Sequence, residues 1–250
     1  MIPLTIRKLI PHQLRPSTYL THLTRQRTGC RVRQGPFAGM HYTDRSICST
    51  YIPKLLGIYE RELAFFIEQI CDARPGLIVD VGAAEGYYAV GLAIRNPQAR
   101  VVAFEIEENG QNAISEMARL NNVTERIAVH GKCESWDLQA VLSSEVSSVV
   151  VCDVEGYEEK LLDMGSVPSL RHAKMLVELH DFAVPGITET LKRRFNETHV
   201  IQVIYEEKRS RSEFPWRPFW TFFLPSSSID RAVSERRSVK MAWLWMTPIK

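Results

Sequence analysis

The sequence predicts an α/β fold, a doubly wound sheet closed by an antiparallel strand, and three observations carry that prediction. The run Leu77-Ile-Val-Asp80-Val is a buried strand that turns through small residues into a helix. Apolar runs then alternate with helical patterns as far as residue 180, the mark of a parallel sheet with crossover helices. Beyond them two strand-like runs, 198–207 and 218–224, follow with no helical pattern between, as an antiparallel edge pair would.

The elements follow in order. Residues 1–57 form an N-terminal extension, with a short helix capped by Ser17 that carries Tyr19, Leu20 and Leu23 on one face. Alternation and glycines over residues 31–42 predict a hairpin. Leu56 to Asp72 has a helical period in Leu63, Phe66, Ile67 and Ile70. The core domain is expected over 58–225, with strands near 77–81, 99–105, 126–132, 147–153 and 174–180. Residues 226–250 are expected to be a tail that packs on the domain through its tryptophans.

Bulk properties narrow the function. The 250 residues are 45% hydrophobic and 24% charged, ordinary values for a globular protein, and the net charge of +2 is too small to point to nucleic acid. Seven Lys or Arg and no acid occur up to Arg33, which predicts a solvated basic helix or a surface for an anionic partner. No apolar run has the length of a membrane span. Five scattered cysteines without a CxxC pair, and no secretory signal, predict reduced thiols and a cytoplasmic location.

The turn Asp80-Val-Gly82-Ala-Ala84-Glu85-Gly86 lets a ligand approach bare backbone, since Gly82 and Gly86 tolerate positive φ and lack a Cβ. Dinucleotides and S-adenosyl-L-methionine (SAM) both use such a site. A pyrophosphate would lie over the turn, where the Glu85 carboxylate repels it, whereas SAM carries a cationic sulfonium and ammonium. The turn therefore favours SAM. Glu105 ends the next strand about twenty residues beyond the turn and is placed to accept from ribose hydroxyls. Glu134 follows the third strand, where it would meet the adenine amino group or cap the next helix.

The fourth strand ends Cys152-Asp153-Val-Glu155-Gly-Tyr-Glu158. This run, with the Asp80/Gly82/Gly86 turn, Glu105 and Val177-Glu178-Leu, resembles the FkbM-type family of class I SAM-dependent methyltransferases over residues 77–182. The chain departs from the fuller glycine pattern only by Ala84. The resemblance implies a Rossmann-like seven-stranded sheet, SAM as cofactor and a small-molecule acceptor, and leaves a homodimer open. Its cofactor set on this sequence is Asp80, Gly82, Ala84, Glu85, Gly86, Glu105, Glu134 and Asp153. Methyl transfer to an alcohol needs in-line positioning and a proton acceptor. Asp153 or His180 is expected as the base, with Glu155 placing the acceptor. A divalent ion on Asp153, His180 and Asp181, with Glu155 near, matches the residue types only in part, and no metal set is assigned. Cys152 lacks the setting of a C5-methylating nucleophile, and no Asn-Pro-Pro-Tyr-like run follows the fourth strand, which leaves oxygen as the acceptor atom. The competing readings are an RNA or protein methyltransferase, a nicotinamide-dependent oxidoreductase and a non-catalytic SAM-binding module.

Overall fold

The computed structural model describes residues 16–249 apart from 45, 48, 49, 146, 217, 218, 220, 222–225 and 238. The chain divides into two compact units, residues 62–206 with 239–250, and residues 1–61 with 207–238.

The larger unit is built on a seven-stranded sheet. Its strands are β1 (Leu77–Val81), β2 (Arg100–Phe104), β3 (Ile127–His130), β4 (Ser148–Cys152), β5 (Lys174–Leu179), β6 (His199–Tyr205) and β7 (Ala242–Pro248), in the order β3-β2-β1-β4-β5-β7-β6. Strands β1 to β5 are parallel, whereas β7 runs antiparallel to both β5 and β6. The five predicted core strands lie within a residue or two of their expected positions. The inner strands are mostly apolar because helices cover both faces of a parallel sheet; β1 and β4 are buried at every residue, whereas edge strand β3 is half-buried. The chain steps from β1 outward to β3 and returns to β4 on the other side of β1. The strand order thus reverses between β1 and β4, where α/β folds open a crevice at the strands' carboxyl ends.

On one face Val79, Val81, Val150, Cys152 and Val177 pack with Leu138, Leu161 and Leu191, which come from three helices numbered below. On the other face Trp243 meets Tyr88 at 6.3 Å between ring centroids, and Trp245 meets Phe66 at 5.9 Å. The predicted strand at 218–224 is not the partner of β6: that partner is β7, with Ile204 opposite Trp243 and Gln202 opposite Trp245. Trp243, Leu244, Trp245 and Met246 are all buried, so the tail is an interior strand rather than an outer cover. Of the run 218–224, only Phe219 and Thr221 are among the described residues.

The smaller unit contains α1 (Pro16–Thr28), α2 (Tyr51–Leu56) and, near the C-terminus, a helix at Ser226–Val233. Leu20, Leu23, Ile52 and Leu56 share one core with Phe214, Ile229 and Val233, so segments far apart in sequence fold together. The predicted hairpin is present as a tight loop, with Val32 N donating to Met40 O at 2.9 Å and Gly39 N to Val32 O at 2.8 Å. The single helix expected over 56–72 is two: α2 stops at Gly57, whose φ of +70° is left-handed, and α3 (Ala64–Ala73) begins in the larger unit. Residues 1–15 of the basic segment lie outside the described residues.

The remaining helices of the larger unit are α4 (Tyr87–Arg95), α5 (Glu108–Leu120), α6 (Ser135–Leu142), α7 (Glu158–Leu161) and α8 (Ile187–Phe195), which makes Ser226–Val233 α9. None of the described helices is long and apolar enough to cross a membrane.

Candidate active site

The turn after β1 is shaped by close backbone contact. A Cβ on Gly82, whose φ is +82°, would stand 1.7 Å from Asp153 O, so only glycine lets the ends of β1 and β4 meet here. Asp153 N in turn donates to Val81 O at 2.9 Å. Gly86, at φ +90°, opens α4 against Ile114 of α5. Ala84 also adopts positive φ, at +47°, so a non-glycine residue holds this position at a cost of about 1–2 kcal/mol.

Glu105 sits beside this turn. Its Oε2 accepts from Ala84 N at 2.7 Å and its Oε1 from Glu107 N at 2.8 Å. The carboxylate therefore braces the turn, and each oxygen keeps a lone pair for a further donor. Gly110 lets α5 come this close: a Cβ there would meet Glu105 Cγ at 2.5 Å and Ala84 O at 2.9 Å. Gly110 escaped the sequence reading, although a glycine inside a helical pattern is a signal of close approach. The next residue, Ile106, is two-thirds exposed, an apolar side chain left open at the carboxyl end of β2. Asp80 and Glu85 are buried. Because Glu85 is fully enclosed, its carboxylate does not project into open solvent, and the charge argument against a pyrophosphate loses its force.

Glu134 caps α6, completing a reciprocal capping box with Asp137, and accepts from the Tyr157 hydroxyl at 2.8 Å. Lys132 pairs with it, and the hydrogen bonds from Lys132 and Tyr157 hold its carboxyl below the usual value. Its capping role is thus realised.

The other half of the site gathers at the ends of β4 and β5. The register Cys152 opposite Val177 brings Asp153 alongside Glu178, with His180 just beyond the end of β5. Side chains alternate along a strand, so Glu178 and His180 share a face. His180 is buried, and its Nδ1 lies 2.7 Å from Glu158 Oε1. That oxygen also accepts from Val154 N at 3.2 Å and Gly156 N at 3.3 Å, while the buried Oε2 has no hydrogen-bond partner. The His180 Nε2 faces Asp153 Oδ1 at 3.5 Å, Glu155 Oε2 at 3.5 Å and Glu178 Oε2 at 3.8 Å. Burial alone would lower the His180 pKa and raise that of Glu158. Their mutual hydrogen bond outweighs it, reinforced at His180 by the charges of Glu158, Glu178 and Glu155. His180 is held above its ordinary value and Glu158 below.

Of the four residues expected at these strand ends, Asp153, Glu155 and His180 lie together. Asp181 is not with them: it accepts from the Thr188 backbone N–H at 3.4 Å and from the Thr188 hydroxyl. Sequence reasoning passed over Glu158 and Glu178, since only the pairing of β4 with β5 turns them toward His180. Cys152 is completely buried, and burial pushes its thiol well above the ordinary range, which disqualifies it as a nucleophile. Phe182 lies at 5.6 Å from the His180 ring and is more than half exposed.

Further aromatic and acidic side chains pack against their neighbours. Tyr87 and Tyr88 pack edge to face at 5.4 Å. Glu60 is buried against Arg237, and the Tyr59 ring lies under Lys54 Nζ at 4.7 Å. In the aromatic cluster near residue 216, Phe214 packs against Trp216 in the smaller unit, whereas Arg217 and Trp220 lie outside the described residues.

No family model and no curated protein sequence matches the chain. Solved structures resemble it at low identity. The MccD protein is 13% identical with a TM-score of 0.46, over 76% of this chain and 97% of that one. A SAM-dependent O-methyltransferase from Thermotoga maritima is 13% identical with a TM-score of 0.46, over 76% and 66%. Precorrin-6y C5,15-methyltransferase from Geobacter metallireducens is 8% identical with a TM-score of 0.46, over 75% and 88%. No residue role is carried across from them.

Proposed function

We propose that the chain is a class I SAM-dependent methyltransferase of the FkbM type that methylates a hydroxyl of a small molecule, a sugar or a secondary metabolite. The observation that carries this reading is the sheet order β3-β2-β1-β4-β5-β7-β6, with antiparallel β7 between β5 and β6 and the Gly82–Gly86 turn at the switch point. A dinucleotide-binding sheet continues in parallel strands instead, in the order 3-2-1-4-5-6.

In this reading Asp80, Gly82, Ala84, Glu85 and Gly86 hold the amino-acid end of SAM, Glu85 through its backbone. Glu105 takes the ribose, and Ile106 and Glu134 border the adenine. SAM supplies an activated methyl group: its sulfur–methyl bond breaks as the oxygen–methyl bond forms. The protein's task is to hold the acceptor oxygen in line and to take its proton. Asp153 is the residue for that proton, because its side chain is about one-third exposed while His180 is enclosed. Glu158 fixes the His180 ring, and His180 with Glu155 positions the acceptor.

Calorimetric titration with SAM, its demethylated product and NAD tests the reading. SAM and its product are expected to bind and NAD to fail. Glu105→Gln is expected to weaken SAM about tenfold, the loss of one charge-assisted hydrogen bond. Circular dichroism of the variant checks that the braced turn has survived. Binding of NAD alone would overturn the proposal in favour of redox chemistry.

A further inference from the structure

We propose that Asp153, Glu155 and His180 form a binding site for one divalent transition-metal cation, held by an oxygen of each carboxylate and by Nε2 of the imidazole. One donor atom from each residue lies within 4.8 Å of the others. Nε2 stands 3.5 Å from both Asp153 Oδ1 and Glu155 Oε2. Ligands about 2.1 Å from a shared ion are separated by roughly 3.0–3.4 Å along the edge of an octahedron or tetrahedron. The two Nε2 contacts need only a slight closure, and the exposed Glu155 side chain supplies the remaining movement of its oxygen toward that of Asp153. These contacts are long for hydrogen bonds, and Nε2 makes none.

A second, independent observation is the way His180 is held. It is buried, and its other ring nitrogen is fixed by Glu158 at 2.7 Å. A ligating imidazole characteristically gives its second nitrogen to a carboxylate, which sets the tautomer and turns the bare lone pair toward the ion. Glu158 is itself enclosed and tied to the Val154 and Gly156 amides. The ring cannot swing away without stranding a buried carboxylate. Glu178 adds a further negative charge 3.8 Å from Nε2. Four carboxylates thus lie around one imidazole.

The donor chemistry selects the ion. Imidazole suits zinc and iron, carboxylates suit manganese and magnesium, and the mixed set points to Mn²⁺ or Zn²⁺ rather than the oxygen-preferring Mg²⁺ or Ca²⁺. This ligand set replaces the one weighed from sequence, with Glu155 in the place of Asp181. Within the methyltransferase reading, an acceptor hydroxyl bound at an open coordination position would lose its proton more readily. The binding site itself does not depend on that reading.

The test is titration of the full chain with Mn²⁺ alone, without SAM, followed by calorimetry and by electron paramagnetic resonance of the bound ion. One ion per chain is expected. Glu155→Gln and His180→Gln should each weaken it about tenfold or more, and Glu158→Gln, which acts through the ring, by roughly 10–100-fold. Glu189→Gln, an exposed acid outside the cluster, should leave binding unchanged. Because Glu155 is exposed, its variant keeps the fold, which a melting curve confirms. No saturable binding at millimolar Mn²⁺ or Zn²⁺ would overturn the proposal, as would affinity that survives either ligand substitution. Absence of SAM binding would leave the metal result standing, so the two proposals fail separately.

Discussion

Each unit of this molecule buries a cluster of charges, and the two clusters are built differently. In the smaller unit Arg209 and Arg237 meet Glu235 and Glu60, two cations against two anions, with all but Arg237 essentially enclosed. Arg209 Nη2 lies 2.5 Å from Glu235 Oε1, and its Nε donates to Ile58 O at 2.6 Å. Glu60 N donates to Glu235 Oε1 at 3.1 Å. The charges cancel, and the bonds tie three distant chain segments together. In the larger unit four carboxylates face one imidazole, and Glu158 and Glu178 are enclosed with it. We read the first cluster as serving the fold and the second, acid-rich one as the proposed site.

The largest expected effect breaks the balanced cluster. Arg209→Met removes one of the two guanidinium partners of the buried Glu235, leaving Arg237 to face two carboxylates, and strips the donor from Ile58 O. Loss of one member of a buried pair costs about 3–5 kcal/mol, which for a chain of this size lowers the melting temperature by roughly 10 °C. Thermal and urea melts measure it, and a loss below 1 kcal/mol would mean that water reaches the cluster. The matching change in the unbalanced cluster is Asp153→Asn. Under the proposed function it is expected to reduce methyl transfer by about 10²–10⁴, the range of a general base, while SAM affinity stays within a few-fold. A variant that kept its rate would move the proton to another group.

The two halves of the site were not equally legible in the sequence. The turn is local: Asp80, Gly82 and Gly86 announce themselves within seven residues, and Gly82 is demanded by the passage of Asp153 O beneath it. Buried parallel strands were equally plain, because the inner strands are covered on both faces and their runs are mostly apolar. The cluster depends on register between β4 and β5, which no spacing reveals, so Glu158 and Glu178 were quoted but given no role. The last strand failed for the same reason. Nothing local distinguishes the 242–248 run, inserted between β5 and β6, from an apolar tail; its place is set by pairing with residues some 40 to 70 positions away.

A second enclosed histidine sharpens the comparison. His199 has no carboxylate partner; its Nε2 lies 3.0 Å from Ala173 O and its Nδ1 2.9 Å from Thr198 Oγ1. Burial depresses its pKa below the ordinary 6.5, although the bond to Ala173 O opposes this. The unfolded chain therefore takes up the proton first as the pH falls. The stabilisation from neutral His199 is complete above about 6.5 and is lost as the pH drops toward the folded value. Wild type should lose up to about 1.4 kcal/mol per pH unit in that window from this group. In His199→Gln that contribution should vanish, which urea melts at pH 7 and pH 5 would detect. An unchanged slope would assign the acid sensitivity elsewhere.

The smallest expected effect is the most discriminating. Glu155 is more than three-quarters exposed and sits at positive φ, +52°, in the loop that leads into α7. Glu155→Gln keeps the size of the side chain and the backbone strain, and removes one negative charge from an acid-rich group. Stability should stay within about 0.5 kcal/mol of wild type, or rise slightly. A fall of more than 1 kcal/mol would show that Glu155 helps to balance the His180 charge in the ligand-free protein. The cluster would then be a structural ion network like that of Arg209, only wetter, and the contrast between the two units would collapse.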